Sequence, residues 1–327
     1  MHRLPRHKQI RVFEGFAGYG GASFGLRRSG LNYKVVGMSE FNKYASELLS
    51  ANFPGIKNWG DITKIVPEEL PDFDFFTGGF PCQPFSSAGM QMGEEDRYGR
   101  GTLFYEIMRI LQVKRPKYLL LENVKGFTAK KFAPTRNRIM EILRELGYGE
   151  LQYALLNSCD YGIPQNRERI WMFAMLGGVP ESFKLEPPKV KLTKRFGDLL
   201  DANPPEYLYL SQAQIAHLKE KHNIPSFVVT EPLCFDVYNK KIKTNALSIT
   251  ITQPEHNSLR VVEVPKEDGL EIVRKMSVDE QFRFMGFEDG ELNYAGQSYS
   301  QLSTRAGNGW DVNLVGILLN HIFSQIL

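Results

Sequence analysis

Residues 10–21 read IRVFEGFAGYGG, and this stretch decides the fold. Its first half is largely apolar, and its second half, from Phe16, is a turn containing Gly18, Gly20 and Gly21. Residues 21–29 then place apolar side chains at three- and four-residue spacing, as an amphipathic helix does. The stretch therefore predicts a strand, a tight glycine-rich turn and a helix, which together make the opening unit of a parallel α/β sheet.

The same alternation of strand and helix patterns continues through about the first 180 residues. Predicted strands are Ile10–Phe16, Lys34–Met38, Phe73–Thr77, Tyr118–Leu121 and Ile170–Leu176. Predicted helices are Gly21–Ser29, Lys43–Asn52, Leu103–Gln112 and Arg136–Leu146. Strands separated by helices are typical of a doubly wound, mostly parallel sheet, and we predict this α/β class.

The texture changes near Lys184, where Pro180, Pro187 and Pro188 interrupt both periodicities. The region that follows is irregular and mainly β. It has a short helix at Ser211–Lys221 and strand-like pieces at Ser226–Thr230, Leu247–Ile251 and Leu259–Val264. Residues Val312–Leu327 are again amphipathic and are expected to pack on the first domain. We predict one domain from residues 1–185 plus 305–327, and a small second domain with a hinge from residues 186–304.

Composition excludes several classes of protein. Of the 327 residues, 42% are hydrophobic, and 40 basic and 37 acidic residues give a net charge of +3. A high hydrophobic fraction with a low net charge argues against disorder. The three cysteines are odd in number and far apart, which argues against a disulfide framework and predicts a reducing compartment. No apolar run approaches the ~18 residues of a membrane span, and no signal peptide is evident. We expect a cytoplasmic protein that is not secreted.

The glycine-rich turn and Glu40 together predict a binding site for an adenosine group. Glu40 ends the second predicted strand, 22 residues after Gly18, where doubly wound sheets place a carboxylate on a ribose hydroxyl. The turn lacks the GxGxxG pattern of pyrophosphate-binding sites, which favours a ligand such as S-adenosylmethionine. Asp61, in a Gly-Asp-Ile sequence, either meets an adenine amino group or caps the segment that follows. A turn without any ligand is the alternative.

A thiol follows the third predicted strand, in the sequence GGFPCQPFS at residues 78–86. Cys82 lies where open α/β sheets bind their ligands, between Pro81 and Pro84, which fix the backbone. Isolated cysteines are more often buried and inert, but this loop context favours a reactive thiol. We treat Cys159 and Cys234 as packing residues, and His217 and His222 as ordinary polar residues, because no metal-ligand spacing surrounds them.

Two further charged groups reach the predicted sheet edge. Glu122 ends the strand that begins at Tyr118, where it is either a functional carboxyl group, a helix cap or a surface charge. Arg167 and Arg169 lie in the sequence QNRER, and strand alternation would place both on one face. Near Cys82 such arginines would favour the thiolate, whereas a solvated run of charges is the alternative.

In combination these motifs are far more specific than any one of them. The ordered series FAGYGG, Glu40, GDIT, GFPCQPFS, RGTLF, LENVKGF, QNRER and AGN resembles the DNA (cytosine-5)-methyltransferase family, of restriction-modification or phage type. The resemblance runs from Phe16 to Asn308. It implies a Rossmann-like fold that binds S-adenosylmethionine, released as S-adenosylhomocysteine, together with a small target-recognition domain.

The resemblance also implies a mechanism and its catalytic residues. Cys82 would attack C6 of cytosine, Glu122 would hold a proton at N3, Arg169 would contact the base oxygen and Arg167 would add a supporting charge. Because C6 is approached from above the ring, the target base must be flipped out of the duplex. Residues 87–100, with three glycines and several charges, would form a lid over the flipped base, the alternative being an ordinary surface loop.

Motif matching assigns the remaining contacts. The cofactor contacts implied by the family are Phe16, Ala17, Gly18, Tyr19, Gly20, Gly21, Glu40, Phe41, Asp61, Ile62, Pro81, Leu103, Asn308 and Trp310. Trp310 and Glu288 depart from the family pattern, which more often has valine and proline at these positions. No metal is implied.

Double-stranded DNA is the implied partner. Residues 184–195 carry five basic residues against one acidic residue, and a second basic group follows Glu122, at residues 125–138. Such clusters neutralise phosphates without reading the sequence. The predicted DNA contacts are Ser86, Gln91, Arg100, Lys191, Lys194, Arg195 and Thr250. A short recognition domain suggests a short target and monomeric action at the nucleoid.

Two alternatives to DNA methylation stay open at this point. Some relatives with the same catalytic motifs modify tRNA, so an RNA substrate is one of them. The other is a catalytically silent DNA-binding module on the same fold. Such a module need not keep Cys82, Glu122, Arg167 and Arg169 together, and this sequence keeps all four.

Overall fold

The computed structural model describes residues 9–81, 103–256 and 258–327. Cys82, Ser86, Gln91, Arg100 and the predicted lid lie outside these described residues. The chain divides into two compact units. The first unit takes its described residues from Met1–Leu156, Glu168–Pro188 and Val315–Leu327, and the second from Asn157–Arg167 and Lys189–Leu314.

Two segments of the second unit fall within the range that the sequence assigned to the first domain. They are Asn157–Arg167 and the residues from 305 to Leu314. The units are defined by compactness, whereas the predicted domains rest on sequence texture and hydrophobic periodicity. The predicted division into domains therefore stays a prediction.

The first unit is built on a six-stranded sheet with the order β2-β1-β3-β4-β7-β5. Its strands are β1 (Ile10–Gly15), β2 (Tyr33–Ser39), β3 (Phe75–Gly79), β4 (Tyr118–Val124), β5 (Gln152–Asn157) and β7 (Glu168–Met175). Its helices are α1 (Gly21–Ser29), α2 (Lys43–Asn52), α3 (Leu103–Lys114) and α4 (Ala133–Glu145). Strands β1 to β4 pair in parallel, and β7 runs antiparallel to β4. The predicted doubly wound, mostly parallel fold is confirmed.

Local signals fix the ends of the first two helices. Gly20 precedes α1 in the left-handed conformation (φ 90°), and Gly30 ends the helix in the same region (φ 74°). Glycine adopts this conformation without the steric penalty that other residues pay. Asn42 precedes α2, where its side chain accepts hydrogen bonds from the amides of Tyr44 and Ala45. These caps explain why both helices have the predicted bounds.

Helix α8 (Val312–Ile326) packs on the six-stranded sheet and beside α1, although it comes last in the chain. Phe323 packs edge-on against Phe75 of β3 and Tyr118 of β4, with ring centroids 5.4 and 5.0 Å away. Near the start of α8, Val315 lies so close to Gly25 that a Cβ atom there would overlap its side chain. Residues 315–327 thus pack within the first unit.

The second unit carries short strands and helices. These are β6 (Gln165–Asn166), β8 (Leu233–Asp236), β9 (Lys241–Lys243), β10 (Ser248–Ile249), β11 (Leu259–Glu263), β12 (Ile272–Arg274), α5 (Gln212–His222), α6 (Val278–Arg283) and α7 (Tyr299–Asn308). A four-stranded sheet has the order β12-β11-β8-β9, and its pairs are antiparallel. Its small apolar core includes Ile215, Phe227 and Val262.

The prediction of a strand at Ser226–Thr230 is wrong, although buried and exposed side chains do alternate there. Phe227 is fully buried while Val228 is 62% exposed. The amide of Phe227 donates to the Glu271 carboxylate at 2.9 Å instead of to a neighbouring strand. The predicted strand Leu247–Ile251 is also shorter, since only Ser248–Ile249 pairs, in parallel with Gln165–Asn166.

A buried ion pair organises the segment RKMSVDEQ of the second unit. Arg274 and Glu280 are both fully buried, and two guanidinium nitrogens of Arg274 each lie 2.7 Å from a Glu280 oxygen. Arg274 also contacts Glu263. Glu280 in turn accepts the amide of Ser277 at 2.7 Å, which completes the cap of α6. The two charges therefore satisfy each other and the backbone, as burial requires.

Candidate active site

Five strand ends meet at one edge of the first sheet. Because β1 to β4 are parallel, the segments that follow them leave at the same edge, and the antiparallel β7 begins there. Glu122 of β4 lies opposite Gly79 of β3 in the register, three residues before Cys82. Open α/β sheets bind ligands at this edge. The edge therefore gathers the motifs that the sequence separates by more than a hundred residues.

The turn after β1 is shaped to receive a ligand closely. Phe16, Gly18 and Gly20 all have positive φ values, of 52°, 58° and 90°. A Cβ atom built on Gly18 meets nothing within 4 Å, so this turn leaves open space beside its backbone. Ala17 and Tyr19 are buried and anchor the turn from below.

Glu40 ties this turn to the end of β2. One oxygen of its carboxylate accepts the amide of Gly18 at 2.9 Å, and the other accepts the amide of Asn42 at 2.7 Å. Next to it, Phe41 exposes 75% of its surface. An exposed aromatic ring beside a fixed carboxylate provides a stacking surface and a hydrogen-bond acceptor, the two features that an adenosine group requires.

Asp61 is attached to the same edge. The hydroxyl of Ser39, the last residue of β2, donates to the carbonyl of Gly60 at 2.8 Å. The Asp61 carboxylate accepts the amide and hydroxyl of Thr63 at 3.0 and 2.8 Å, which lowers the pKa of Asp61. It thus performs the capping role that the sequence left open, while Ile62 is buried beneath it.

The remaining cofactor positions of the first unit lie at element ends. Pro81 is exposed just after β3, and Leu103 is half-buried at the first residue of α3. Gly21 begins α1 and is buried. The residues present thus offer the turn, the carboxylate and the apolar surface that S-adenosylmethionine needs.

Glu14 is a buried carboxyl group that holds the start of α1, and sequence reasoning missed it. It lies within β1 and exposes only 2% of its surface, yet its carboxylate accepts the amides of Ala22 and Ser23 at 2.8 and 3.0 Å, and the Ser23 hydroxyl at 2.5 Å. Burial raises the pKa of Glu14 to about 7, which these donors oppose. An acidic residue inside the apolar run IRVFEG was the available signal.

Glu122 and Arg169 form a partly buried ion pair. The Nε of Arg169 lies 3.1 Å from Oε1 of Glu122, and their side chains are 16% and 9% exposed. Burial lowers the pKa of Arg169, and the negative charge of Glu122 counteracts this. The pair holds a carboxyl group at the sheet edge in a fixed orientation, as a proton-handling group requires.

Asn123, the neighbour of Glu122, was also missed. It is 2% exposed, and its side-chain amide donates to the carbonyl of Phe80 at 3.1 Å. Phe80 packs on Phe104 and Phe127. The segment that leads to Cys82 is therefore fixed to β4 up to Phe80. The sequence Glu-Asn-Val at a strand end was the signal.

Arg167 differs from its predicted position. Strand β7 begins at Glu168, so the alternation that placed Arg167 and Arg169 on one face does not apply. Arg167 belongs to the second unit, is 2% exposed, and donates to backbone carbonyls of Ile251, Gly307 and Gly309. Asn308 is exposed in the same unit, and Trp310 is 9% exposed.

The predicted DNA contacts within the described residues differ in their partners. Lys191 and Lys194 are exposed, as phosphate contacts must be. Arg195 is exposed too, but its guanidinium forms a two-point ion pair with Glu231. Thr250 is half-buried, and its hydroxyl donates to the carbonyl of Asn166 at 2.7 Å.

The described residues contain neither a cluster of metal ligands nor a membrane-spanning helix. In residues 9–81, 103–256 and 258–327, no three His, Cys, Asp or Glu side chains gather as metal ligands would. Among the helices in these same ranges, none has the length and apolar character needed to cross a membrane.

The sequence profile of the C-5 cytosine-specific DNA methylases matches residues 10–324. Type II methyltransferase M.NgoBI of Neisseria gonorrhoeae is 36% identical to this chain, covering 92% of this chain and 89% of that protein. Type II methyltransferase M.HaeII of Haemophilus aegyptius is 33% identical, covering 98% and 94%. These matches confirm the resemblance on which the sequence interpretation depends.

Solved structures agree in fold. A DNMT2 variant from Spodoptera frugiperda superimposes with a TM-score of 0.75 at 21% identity, covering 96% of this chain and all of that chain. Dnmt2 of S. pombe gives a TM-score of 0.72 at 20% identity, covering 97% and 98%. At this identity the likeness concerns the fold. The profile match over nearly the whole chain identifies the family: this protein is a C-5 cytosine-specific DNA methylase, an enzyme that methylates the C5 atom of cytosine in DNA.

Proposed function

We propose that this methylase acts on a short duplex sequence as the modification enzyme of a type II restriction system, with Cys82 as nucleophile and S-adenosylmethionine as methyl donor. The observation that carries the proposal is the Glu122–Arg169 ion pair, at the strand end directly opposite Gly79 and the segment that leads to Cys82. The names of the full-length relatives support the restriction-modification setting.

C5 of cytosine is too weak a nucleophile to attack a methyl donor by itself. The reaction therefore requires a second nucleophile, on the enzyme, that activates the base. The Cys82 thiolate adds to C6, forming an S–C6 bond and placing electron density on C5. Glu122 holds a proton at N3 and so neutralises the charge that the addition creates, while Arg169 keeps the carboxyl group oriented and contacts the base oxygen. When bound, S-adenosylmethionine supplies the methyl group. A base then removes the C5 proton, and the S–C6 bond breaks to return the thiolate.

The cofactor would lie against the first turn. Gly18 allows close approach, Glu40 would accept a ribose hydroxyl, and Phe41 would stack on the adenine ring. The family motif adds Asn308 and Trp310 as proposed cofactor contacts. DNA would be held by Lys191, Lys194, Arg195 and Thr250, with the target cytosine flipped out. The enzyme would act as a monomer on chromosomal DNA in the cytoplasm.

The direct test is methyl transfer from labelled S-adenosylmethionine to DNA and, in parallel, to tRNA. We expect label in DNA as 5-methylcytosine, and none after Cys82→Ser. Cys159→Ser is the matched control, because Cys159 lies outside the proposed site, and it should retain activity. Label in tRNA alone would indicate the RNA substrate, and label in neither would indicate a silent binding module. Bisulfite sequencing of DNA from expressing cells then gives the target sequence.

A further inference from the structure

Arg167 is a buried side chain of the second unit whose guanidinium group donates three hydrogen bonds to backbone carbonyls. Its Nη1 donates to the carbonyl of Ile251 at 2.9 Å, and its Nη2 donates to those of Gly307 and Gly309 at 3.1 and 2.6 Å. A guanidinium group is planar and rigid, so its donors fix the relative positions of the carbonyls they reach. One side chain therefore joins residue 251 to the turn at residues 307–309.

The two joined segments also touch directly. A Cβ atom on Gly307 would lie 2.5 Å from the amide nitrogen of Gln253 and 2.5 Å from the carbonyl carbon of Thr252. Only glycine permits this approach of one backbone to another. In addition, the side-chain amide of Gln253 donates to Oδ1 of Asn308 at 2.9 Å. A displacement of either segment must therefore displace the other.

Residues 165–166 contact the segment 250–253 at its first two residues. The amide of Ile251 donates to Oε1 of Gln165 at 2.9 Å, and the hydroxyl of Thr250 donates to the carbonyl of Asn166 at 2.7 Å. Gln165 is fully buried. The segment 250–253 is thus held by residues 165–166 on one side and by the turn that carries Asn308 on the other.

We propose that Arg167 is a positioning residue that couples DNA binding to cofactor binding, by holding segment 250–253 and turn 307–309 as one element. This inference rests on the proposed function, in which Thr250 contacts DNA and Asn308 contacts the cofactor. A ligand that displaces one segment then also displaces the other, and so changes the affinity for the other ligand. Thermodynamic reciprocity requires the same factor in both directions.

The test measures binding without turnover. The dissociation constant of S-adenosylhomocysteine is determined by calorimetry, with and without a duplex that the wild type methylates, and the ratio is the coupling factor. We expect about fivefold or more for the wild type, the lower end of usual allosteric coupling. We expect less than about twofold for Arg167→Lys, which keeps the charge but loses the rigid fork.

A second variant and a control keep the outcome clear. Gln253→Leu removes the contact with Asn308 while leaving buried Arg167 intact, and it should also lower the coupling factor. Arg283→Lys is the matched control, because Arg283 pairs with Asp201 and Asp289 away from both segments. Its coupling factor should equal that of the wild type, even if its stability falls.

Several results would overturn the inference. These are a wild-type factor near one, an unchanged factor in both Gln253→Leu and Arg167→Lys, or an equal loss in Arg283→Lys. If Arg167→Lys fails to fold, Gln253→Leu decides alone. Failure of the proposed function looks different, since there the wild type would not methylate DNA at all. In that case the coupling factor is measured with a duplex that the protein binds but does not methylate.

Discussion

Arg169 and Glu122 meet diagonally across two antiparallel strands: in the register Glu122 faces Trp171 and Arg169 faces Val124, yet Nε of Arg169 lies 3.1 Å from Oε1 of Glu122. The arginine reaches forward along its own strand, toward the position of Trp171, to meet the carboxylate. Both side chains are largely withdrawn from water, so their attraction is screened less than that of a surface pair. This geometry makes the carboxyl group of Glu122 a fixed and not a mobile participant.

Replacing Glu122 with glutamine should lower the rate of methyl transfer about 10²- to 10⁴-fold, the usual contribution of a positioned acid or base. The amide has nearly the same shape but cannot supply the proton at N3. Single-turnover kinetics with labelled cofactor measures the rate, while the affinity for S-adenosylhomocysteine should change little. Glu168→Gln is the control, because Glu168 is a more exposed neighbour paired with Lys125. Equal effects of the two changes would contradict the assignment.

Replacing Glu40 with glutamine should weaken binding of S-adenosylmethionine about tenfold or more, with kcat within about threefold. An amide NH2 would face one of the two amides that the carboxylate now accepts, and hydrogen bonds to a charged group contribute about 1.5–3 kcal/mol each. Steady-state KM and calorimetry give both values. Glu47→Gln, on the exposed face of α2, controls for the loss of a charge. A fall in kcat at constant KM would contradict the assignment of Glu40 to cofactor binding.

Replacing Gly25 with alanine tests the contact between α1 and α8. Helix propensity alone predicts a gain of up to about 1 kcal/mol, because alanine favours helices over glycine. The new Cβ would overlap Val315, however, and overpacking costs about 1–3 kcal/mol, so we expect a net loss of stability. Urea unfolding measures it. Adding Val315→Ala should recover most of the loss, whereas strictly additive effects would show that the two residues do not interact.

Glu14 should make stability depend on pH. Its pKa is raised from 4.5 to about 7 in the folded protein, so between these values the unfolded chain releases a proton that the folded chain keeps. The stabilisation is therefore complete below pH 4.5 and lost as the pH rises to about 7. Relative to Glu14→Gln, the wild type should lose up to about 3 kcal/mol of unfolding free energy over this window. Parallel curves for the two proteins would rule this out.

Much of the first unit could be predicted because its signals are local. Helices α1 and α2 have the predicted bounds, since Gly20 and Asn42 cap them within a few residues. The predicted strands correspond to β1 to β4 and β7 because each of them contains a run of at least three consecutive buried residues. Strand β5 was missed, because it is only intermittently buried, and its sequence QYALLN has no clear alternation.

The second unit was harder to predict because its order depends on distant contacts. Its strands have two to five residues and pair across the chain, and the alternation at Ser226–Thr230 was misleading since Glu271 satisfies the amide of Phe227. The site divides in the same way. Glu122 and Arg169 were visible as motifs, whereas the partners of Arg167 lie 84 to 142 residues away and no periodicity records them.

The packing of Phe323 on Phe75 and Tyr118 also has a consequence for synthesis on the ribosome. Residues 315–327 belong to the first unit but follow the whole of Lys189–Leu314 in the chain. At the usual speed of translation, the helix arrives roughly 6–25 s after the first unit's other segments. During that interval the nascent sheet exposes the apolar side chains that α8 will cover. Chaperone occupancy should therefore be highest in the interval before α8 packs on the sheet.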